Sequence, residues 1–169
     1  EDDLSRIWTA SAPPSRAGFS MAYDTSRGSI LVFGGYYYSD HGYYYNRNDT
    51  WTYSLENNSW REIKPGTVPT NDEWPIMAYE PDADRFVLFG GTGFTQDYTC
   101  IWLFDPDKED WIRTGMDKGP PGRFRADMFY DSVNGSLIMF GGVSSEYYSL
   151  RDLWALNLRD NHTLSGSYI

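Results

Sequence analysis

The chain has 169 residues, with 24 Asp+Glu against 14 Lys+Arg for a net charge of −10, and aromatic side chains make up 18% of it. That length suits one domain with a buried core, and the acid surplus excludes a binder of phosphate backbones, which needs an excess of Lys and Arg. One cysteine and two histidines exclude a disulfide framework, a cysteine zinc site and a histidine-rich metal centre, and no apolar run reaches the ~20 residues of a membrane helix.

Residues 5–10, around Trp8, read as a strand standing before Pro13-Pro14. Met21-Ala22-Tyr23-Asp24 makes a second strand, which turns through Asp24 to Gly28 into Ile30-Leu31-Val32-Phe33 and ends at Gly34-Gly35. A loop dense in tyrosine follows, then Thr50-Trp51-Thr52-Tyr53 and a turn at Glu56 to Ser59 that leads to Trp60. The series returns as Met77-Ala78-Tyr79-Glu80, Phe86-Val87-Leu88-Phe89 with Gly90-Gly91, Ile101-Trp102-Leu103-Phe104, and Trp111. It returns again as Met128-Phe129-Tyr130-Asp131, Leu137-Ile138-Met139-Phe140 with Gly141-Gly142, and Leu153-Trp154-Ala155-Leu156. Gly34, Gly90 and Gly141 give a period of 56 and then 51 residues, the mark of a repeat architecture. Nine residues after Trp154, where the other copies have tryptophan, stands Thr163, in a tail with no clear outer strand.

No 3.6-residue apolar period persists over a helix length. Each unit is therefore expected as four antiparallel strands, over residues 14–63, 69–114 and 121–159. The unbroken apolar run of the second strand predicts a sheet covered on both faces, as radially stacked sheets provide.

The tyrosine of the first strand, the glycine pair ending the second and the two tryptophans nine residues apart resemble the kelch repeat. The resemblance implies an all-β fold of kelch-type β-propeller blades: three four-stranded antiparallel sheets, with the ring incomplete in one chain because closed propellers take 4–8 blades. Two positions depart from the repeat. Cys100 stands where the other copies have Asp49 and Asp152, and Asp72 stands where they have Arg16 and Arg123. An open arc leaves two apolar sheet faces in water, so more blades are expected, either from a longer chain or from a second copy. In a homo-oligomer the Trp8 strand would complete the partner's third blade.

Equivalent loops fall on one rim. They gather Tyr36, Tyr37, Tyr38, His41, Tyr43, Tyr44, Tyr45 and Arg47 from the first copy, Phe94, Asp97 and Tyr98 from the second, and Glu146, Tyr147 and Tyr148 from the third. Tyrosine gives a rigid contact area with a polar tip, as interface anchors do. Arg16, Arg123 and Arg125 precede the first strands, placed either to bind an anion in a central channel or to pair with Asp49 and Asp152. Asp82, Asp84, Asp105, Asp107, Glu109 and Asp110 lie in turns without the spacing of an EF-hand, and read as solvated acids. His41 and His162 have no evident Ser or Cys nucleophile.

The expected function is a non-enzymatic binding module whose aromatic rim takes a protein or a glycan, with no cofactor and no metal. One alternative is a structural subunit that completes a propeller or filament with other chains. The other is a carbohydrate-active enzyme with carboxylates in the channel. Sequons at Asn48, Asn57, Asn134 and Asn161 fall in loops and point to an extracellular or secreted glycoprotein.

Overall fold

The computed structural model describes residues 7, 9–70, 73–92, 99, 101–114, 119–159 and 163–168. Regular structure among them is all β-strand. In chain order the strands are β1 (Ser20–Asp24), β2 (Ser29–Phe33), β3 (Tyr36–Tyr38), β4 (Tyr44–Asn46), β5 (Thr50–Ser54) and β6 (Ser59–Ile63). The middle unit holds β7 (Ile76–Glu80), β8 (Arg85–Phe89), β9 (Ile101–Asp105) and β10 (Asp110–Thr114). The last has β11 (Arg123–Phe124), β12 (Asp127–Asp131), β13 (Ser136–Phe140), β14 (Val143–Ser144), β15 (Leu153–Arg159) and β16 (Thr163–Tyr168). Three four-stranded antiparallel sheets result, β1-β2-β5-β6, β7-β8-β9-β10 and β12-β13-β15-β16, hereafter blades one to three. Their inner strands lie side by side, with β7 between β1 and β12.

The turns at the lower end share a chemical device. A side-chain oxygen at the end of one strand accepts backbone N–H groups from the turn: Asp24 from Ser26 and Arg27, Asp105 from Asp107 and Lys108, Asp131 from Val133 and Asn134. The fourth turn residue then takes a left-handed conformation, at Gly28, Asn58, Asp84, Glu109 and Gly135. Asp24 and Asp105 are buried, so the expectation of solvated turn acids fails for Asp105, which also meets Arg85 at 2.9 Å.

Alternation along the strands builds two cores. In blade two, Met77, Tyr79, Phe86, Leu88, Trp102 and Phe104 face blade one, where Leu31, Phe33 and Ile63 meet them. Ile76, Ala78, Val87, Phe89, Ile101 and Leu103 face the other way, against Leu137, Met139 and Leu156 of blade three. A sheet buried on both sides is why the second strand reads as a continuous apolar run. The glycine pair serves the same stacking: a Cβ on Gly90 would collide with the carbonyl oxygen of Arg123, and Gly91 N–H donates to that oxygen at 3.0 Å.

One expectation is corrected. The tail is not without an outer strand: β16 pairs with β15 from Arg159↔Thr163 to Trp154↔Tyr168, so blade three is completed by its own chain and extends past residue 159. The place reserved for a partner's Trp8 strand is already taken. Thr-Leu-Ser-Gly-Ser-Tyr holds no tryptophan and few β-branched residues, so nothing in its chemistry announced a strand. Trp8 lies outside the described residues, and Ile7, Thr9 and Ala10 form no strand.

The three sheets do not close a ring. Phe129 and Phe140 stand 59% and 56% exposed on the free face of blade three, and Met21 59% on that of blade one. No helix among the described residues is long and apolar enough to cross a membrane.

Candidate functional site

The upper rim is built where the segment entering each inner strand bridges the loop that follows the glycine pair. These bridges are Ala17↔Tyr36, Glu73↔Thr92 and Arg123↔Ser144. On blade one the tyrosine loop is itself a hairpin, β3 against β4, with Tyr37 opposite Tyr45 and Tyr38 opposite Tyr44. Its side chains pair across the strands. Tyr37 stacks on Tyr45 with centroids 5.2 Å apart, and the Arg47 guanidinium lies 4.2 Å over Tyr37. Tyr36 stacks on Tyr44 at 4.9 Å on the hairpin's other face. Partial burial, with a hydrogen bond to Glu73, pushes the Tyr44 phenol above its ordinary range.

Gly18, Trp74 and Arg125 occupy matching places at the entrances to β1, β7 and β12, and all three are left-handed, with φ of 59°, 53° and 57°. They form a staircase of backbone hydrogen bonds between blades: Trp74 N–H donates to Gly18 C=O at 2.8 Å, and Arg125 N–H to Trp74 C=O at 3.3 Å. At the glycine step a Cβ would lie 2.8 Å from the Tyr36 ring and 3.1 Å from the Trp74 ring. Tyr36 therefore reaches Trp74, at 5.6 Å between centroids. Arg125 lies over Trp74 on the next step and approaches Phe124, which meets Tyr147 edge-on at 5.9 Å.

The result is one line of ring contacts across three blades: Tyr38, Tyr44, Tyr36, Trp74, Arg125, Phe124 and Tyr147. It borders a cavity of about 470 Å3 at the head of the inner strands, lined by Phe19, Met21, Trp74, Arg125, Asp127 and Met128 among others. The Arg125 guanidinium has no hydrogen bond or ion pair among the described residues, so its donors are open to a ligand.

Arg16 and Arg123 are differently employed. Each grips an aspartate through two nitrogens, Arg16 on Asp49 at 2.6 and 2.8 Å and Arg123 on Asp152 at the same distances. Each also donates to a glycine carbonyl, Gly34 or Gly141, and the aspartates accept from the indoles of Trp51 and Trp154. Of the two roles open from sequence, pairing is the one the geometry has. The Arg123 bond, with that from Trp154, holds Asp152 at about 2. Burial would raise Asp49, but Arg16 and Trp51 keep it below the usual carboxylate range.

The two departures in the middle repeat fall on the two members of this pair. Where Cys100 replaces the aspartate, the arginine is also gone and Asp72 stands there. The Trp102 indole N–H, which the aspartate would have satisfied, is buried with no partner among the described residues.

His41 and Tyr43 lie exposed at the hairpin tip, Tyr38, Tyr44 and Tyr45 are exposed along it, and Tyr147 and Tyr148 are exposed in the third loop. Tyr36, Tyr37 and Arg47 are half-buried in their stacks. Phe94, Asp97 and Tyr98 fall outside the described residues. Asn48, Asn57 and Asn134 are exposed in turns or loops, and Asn161 lies outside the described residues. Sequence reading missed Trp74; the signal was its register, five residues before Tyr79 as Gly18 and Arg125 are before Tyr23 and Tyr130. No group of three or more His, Cys, Asp or Glu among the described residues is placed to hold a metal.

No curated protein matches the sequence. Among solved structures, the chain is similar to one titled "Structure of YjhT", with a TM-score of 0.73 at 16% identity, over 94% of this chain and 53% of that one. It spans about half the length of that neighbour, and at such identity the likeness concerns the fold. The KLHDC2/KLHL20/DRC7 Kelch-repeats domain matches residues 5–162, which cover the three blades but for the last strand, and the chain belongs to the kelch-repeat family.

Proposed function

We propose that the chain is a non-enzymatic interaction module that takes a protein segment on its upper rim, centred on Trp74 and Arg125. The observation that carries this reading is the unbroken line of contacts from Tyr38 to Tyr147, which passes through the Arg125 guanidinium, with open donors, beside a cavity. Rigid aromatic anchors with an arginine at the centre are what hot spots are made of, and loops on a stiff sheet framework are where binding resides. The axial cavity lining includes one carboxylate, Asp127, among the described residues, whereas glycoside hydrolysis takes a pair. Selection of a random-peptide phage library on the immobilised chain tests the reading. Enriched peptides are expected to bind the wild type and to lose at least about tenfold in affinity on Trp74→Gly/Arg125→Gly. Equal binding to that variant refutes the rim, and enrichment on a glycan array in place of peptides reassigns its partner.

A second reading, assembly with further blades from a copy of the same chain, is favoured by the two ends of the arc. The backbone staircase stops at Gly18 N–H on one side and Arg125 C=O on the other, donor and acceptor in the register of the two internal junctions. The faces beside them are apolar, with Met21 and Tyr23 on one and Phe129 and Phe140 on the other. Native mass spectrometry is expected to give twice the chain mass, reduced to a single chain by Phe129→Glu/Phe140→Glu; a stable wild-type monomer sinks this reading.

A further inference from the structure

At the lower end of the wedge between blades one and two lies a cavity of about 340 Å3, on the opposite side from the tyrosine rim. It exists because of two local differences between repeats. On blade one, Ser29, Ser54 and Ser59 run in one row across β2, β5 and β6, beside Thr52. The places of Ser29 and Ser54 are held in blade two by Arg85 and Asp105, whose side chains join at 2.9 Å, and that of Ser59 by Asp110. On the facing wall, blade two presents Phe86 and Phe104 where blade three presents Leu137 and Leu156. The first wedge is thus walled by short hydroxyls and floored by aromatic rings.

We propose that this cavity binds a single neutral, polyhydroxylated ring of monosaccharide size. The hydroxyls of Ser29, Thr52 and Ser59 have no hydrogen-bond partner among the described residues, so they stand open to a ligand that both gives and accepts. The volume lies near the low end of the ~300–1,000 Å3 of small-molecule sites, enough for one ring and not for a chain of them. An anion is turned away. Arg27 at the mouth already faces three carboxylates, Asp24 at 3.1 Å, Asp84 at 2.6 Å and Asp107 at 2.7 Å. Arg61, the other cation there, is paired with Glu109. The hydroxyl row selects for hydrogen bonding, and Pro106, which is not buried, offers an apolar contact to the ring's C–H face.

Titration with glucose, galactose, mannose and N-acetylglucosamine, followed by backbone amide NMR shifts, tests the site. At least one sugar is expected to move the Ser54–Ser59 turn and the Arg27 amide while the Tyr36–Tyr45 hairpin stays still; sulfate is expected to move neither. Ser29→Arg/Ser54→Asp copies the Arg85–Asp105 pair of blade two, and is expected to keep the fold and lose at least about tenfold in affinity. Thr52→Val, which keeps the shape, is expected to weaken binding severalfold. Shifts confined to the upper rim, a response to sulfate in place of sugar, no response to any sugar, or undiminished binding by the filled variant overturns the proposal.

Discussion

Arg125 lies over Trp74, its guanidinium carbon 4.1 Å from the ring centroid, although the two residues are equivalents in successive blades. A repeat that varies one position as Gly, Trp and Arg keeps the same backbone at all three and spends the side chains on the rim. Trp74 and Arg125 hold a left-handed conformation that costs a non-glycine residue roughly 1–2 kcal/mol.

That conformation separates stability from binding at Trp74. Trp74→Gly adopts the φ of 53° without strain, as Gly18 does at 59°. Thermal unfolding is expected within a few degrees of wild type, set by relief of strain against lost ring contact. Peptide capture on the rim is expected to fall at least about tenfold. A fall in both together would mean that the ring is needed for the fold.

The glycine pair can be tested against a control turn. Gly90→Ala puts a methyl group into the Arg123 carbonyl and is expected to cost at least about 2 kcal/mol in urea unfolding. Gly28→Ala meets nothing within 4 Å and is expected to cost only the roughly 1 kcal/mol of its positive φ. Similar losses for the two would show that close approach between blades is not what the pair provides.

Asp152→Ala leaves the buried Arg123 guanidinium without its carboxylate, its carbonyl bonds to Pro121 and Gly141 remaining, and about 3 kcal/mol is expected to be lost, short of a fully enclosed pair because Asp152 retains some contact with water. Conversely, Cys100→Asp with Asp72→Arg transplants the clamp into the middle repeat. Given the unpartnered Trp102 N–H, the double variant is expected to raise the unfolding midpoint, and Cys100→Asp alone to lower it.

Acid unfolding should follow two aspartates. Asp84 is held at about 2, first by Arg27 and then by Tyr79 against some burial, and Asp152 at about 2 by Arg123. Both lie below the ~3.9 of an unfolded aspartate, so the stability they contribute is complete above about pH 4 and is lost as pH falls towards about 2. The urea midpoint is expected to hold from neutrality to about pH 4.5 and to drop below it. Asp152→Asn is expected to flatten that drop.

Much of the architecture was legible because packing between blades demands particular residues. Tryptophans at 51, 102 and 111 and the double glycines recur where neighbours press close, and they marked strands and turns alike. β16 escaped because an edge strand needs only backbone pairing, which Thr, Ser and Gly supply without a signature. Arg16 and Arg123 could be placed, yet their role turned on whether Asp49 and Asp152 came within reach, a matter of side-chain direction. Trp74 was hidden for another reason. Its equivalents share a dihedral angle and no chemical type, so likeness between the copies does not extend to the side chains at that position.

The hydrogen bonds from Trp74 to Gly18 and from Arg125 to Trp74 both run from the later residue back to the earlier one, which gives the arc a polarity. One terminus can only offer a donor and the other only an acceptor. A further blade that prolonged this staircase would join nose to tail, its acceptor meeting the free donor or its donor the free acceptor.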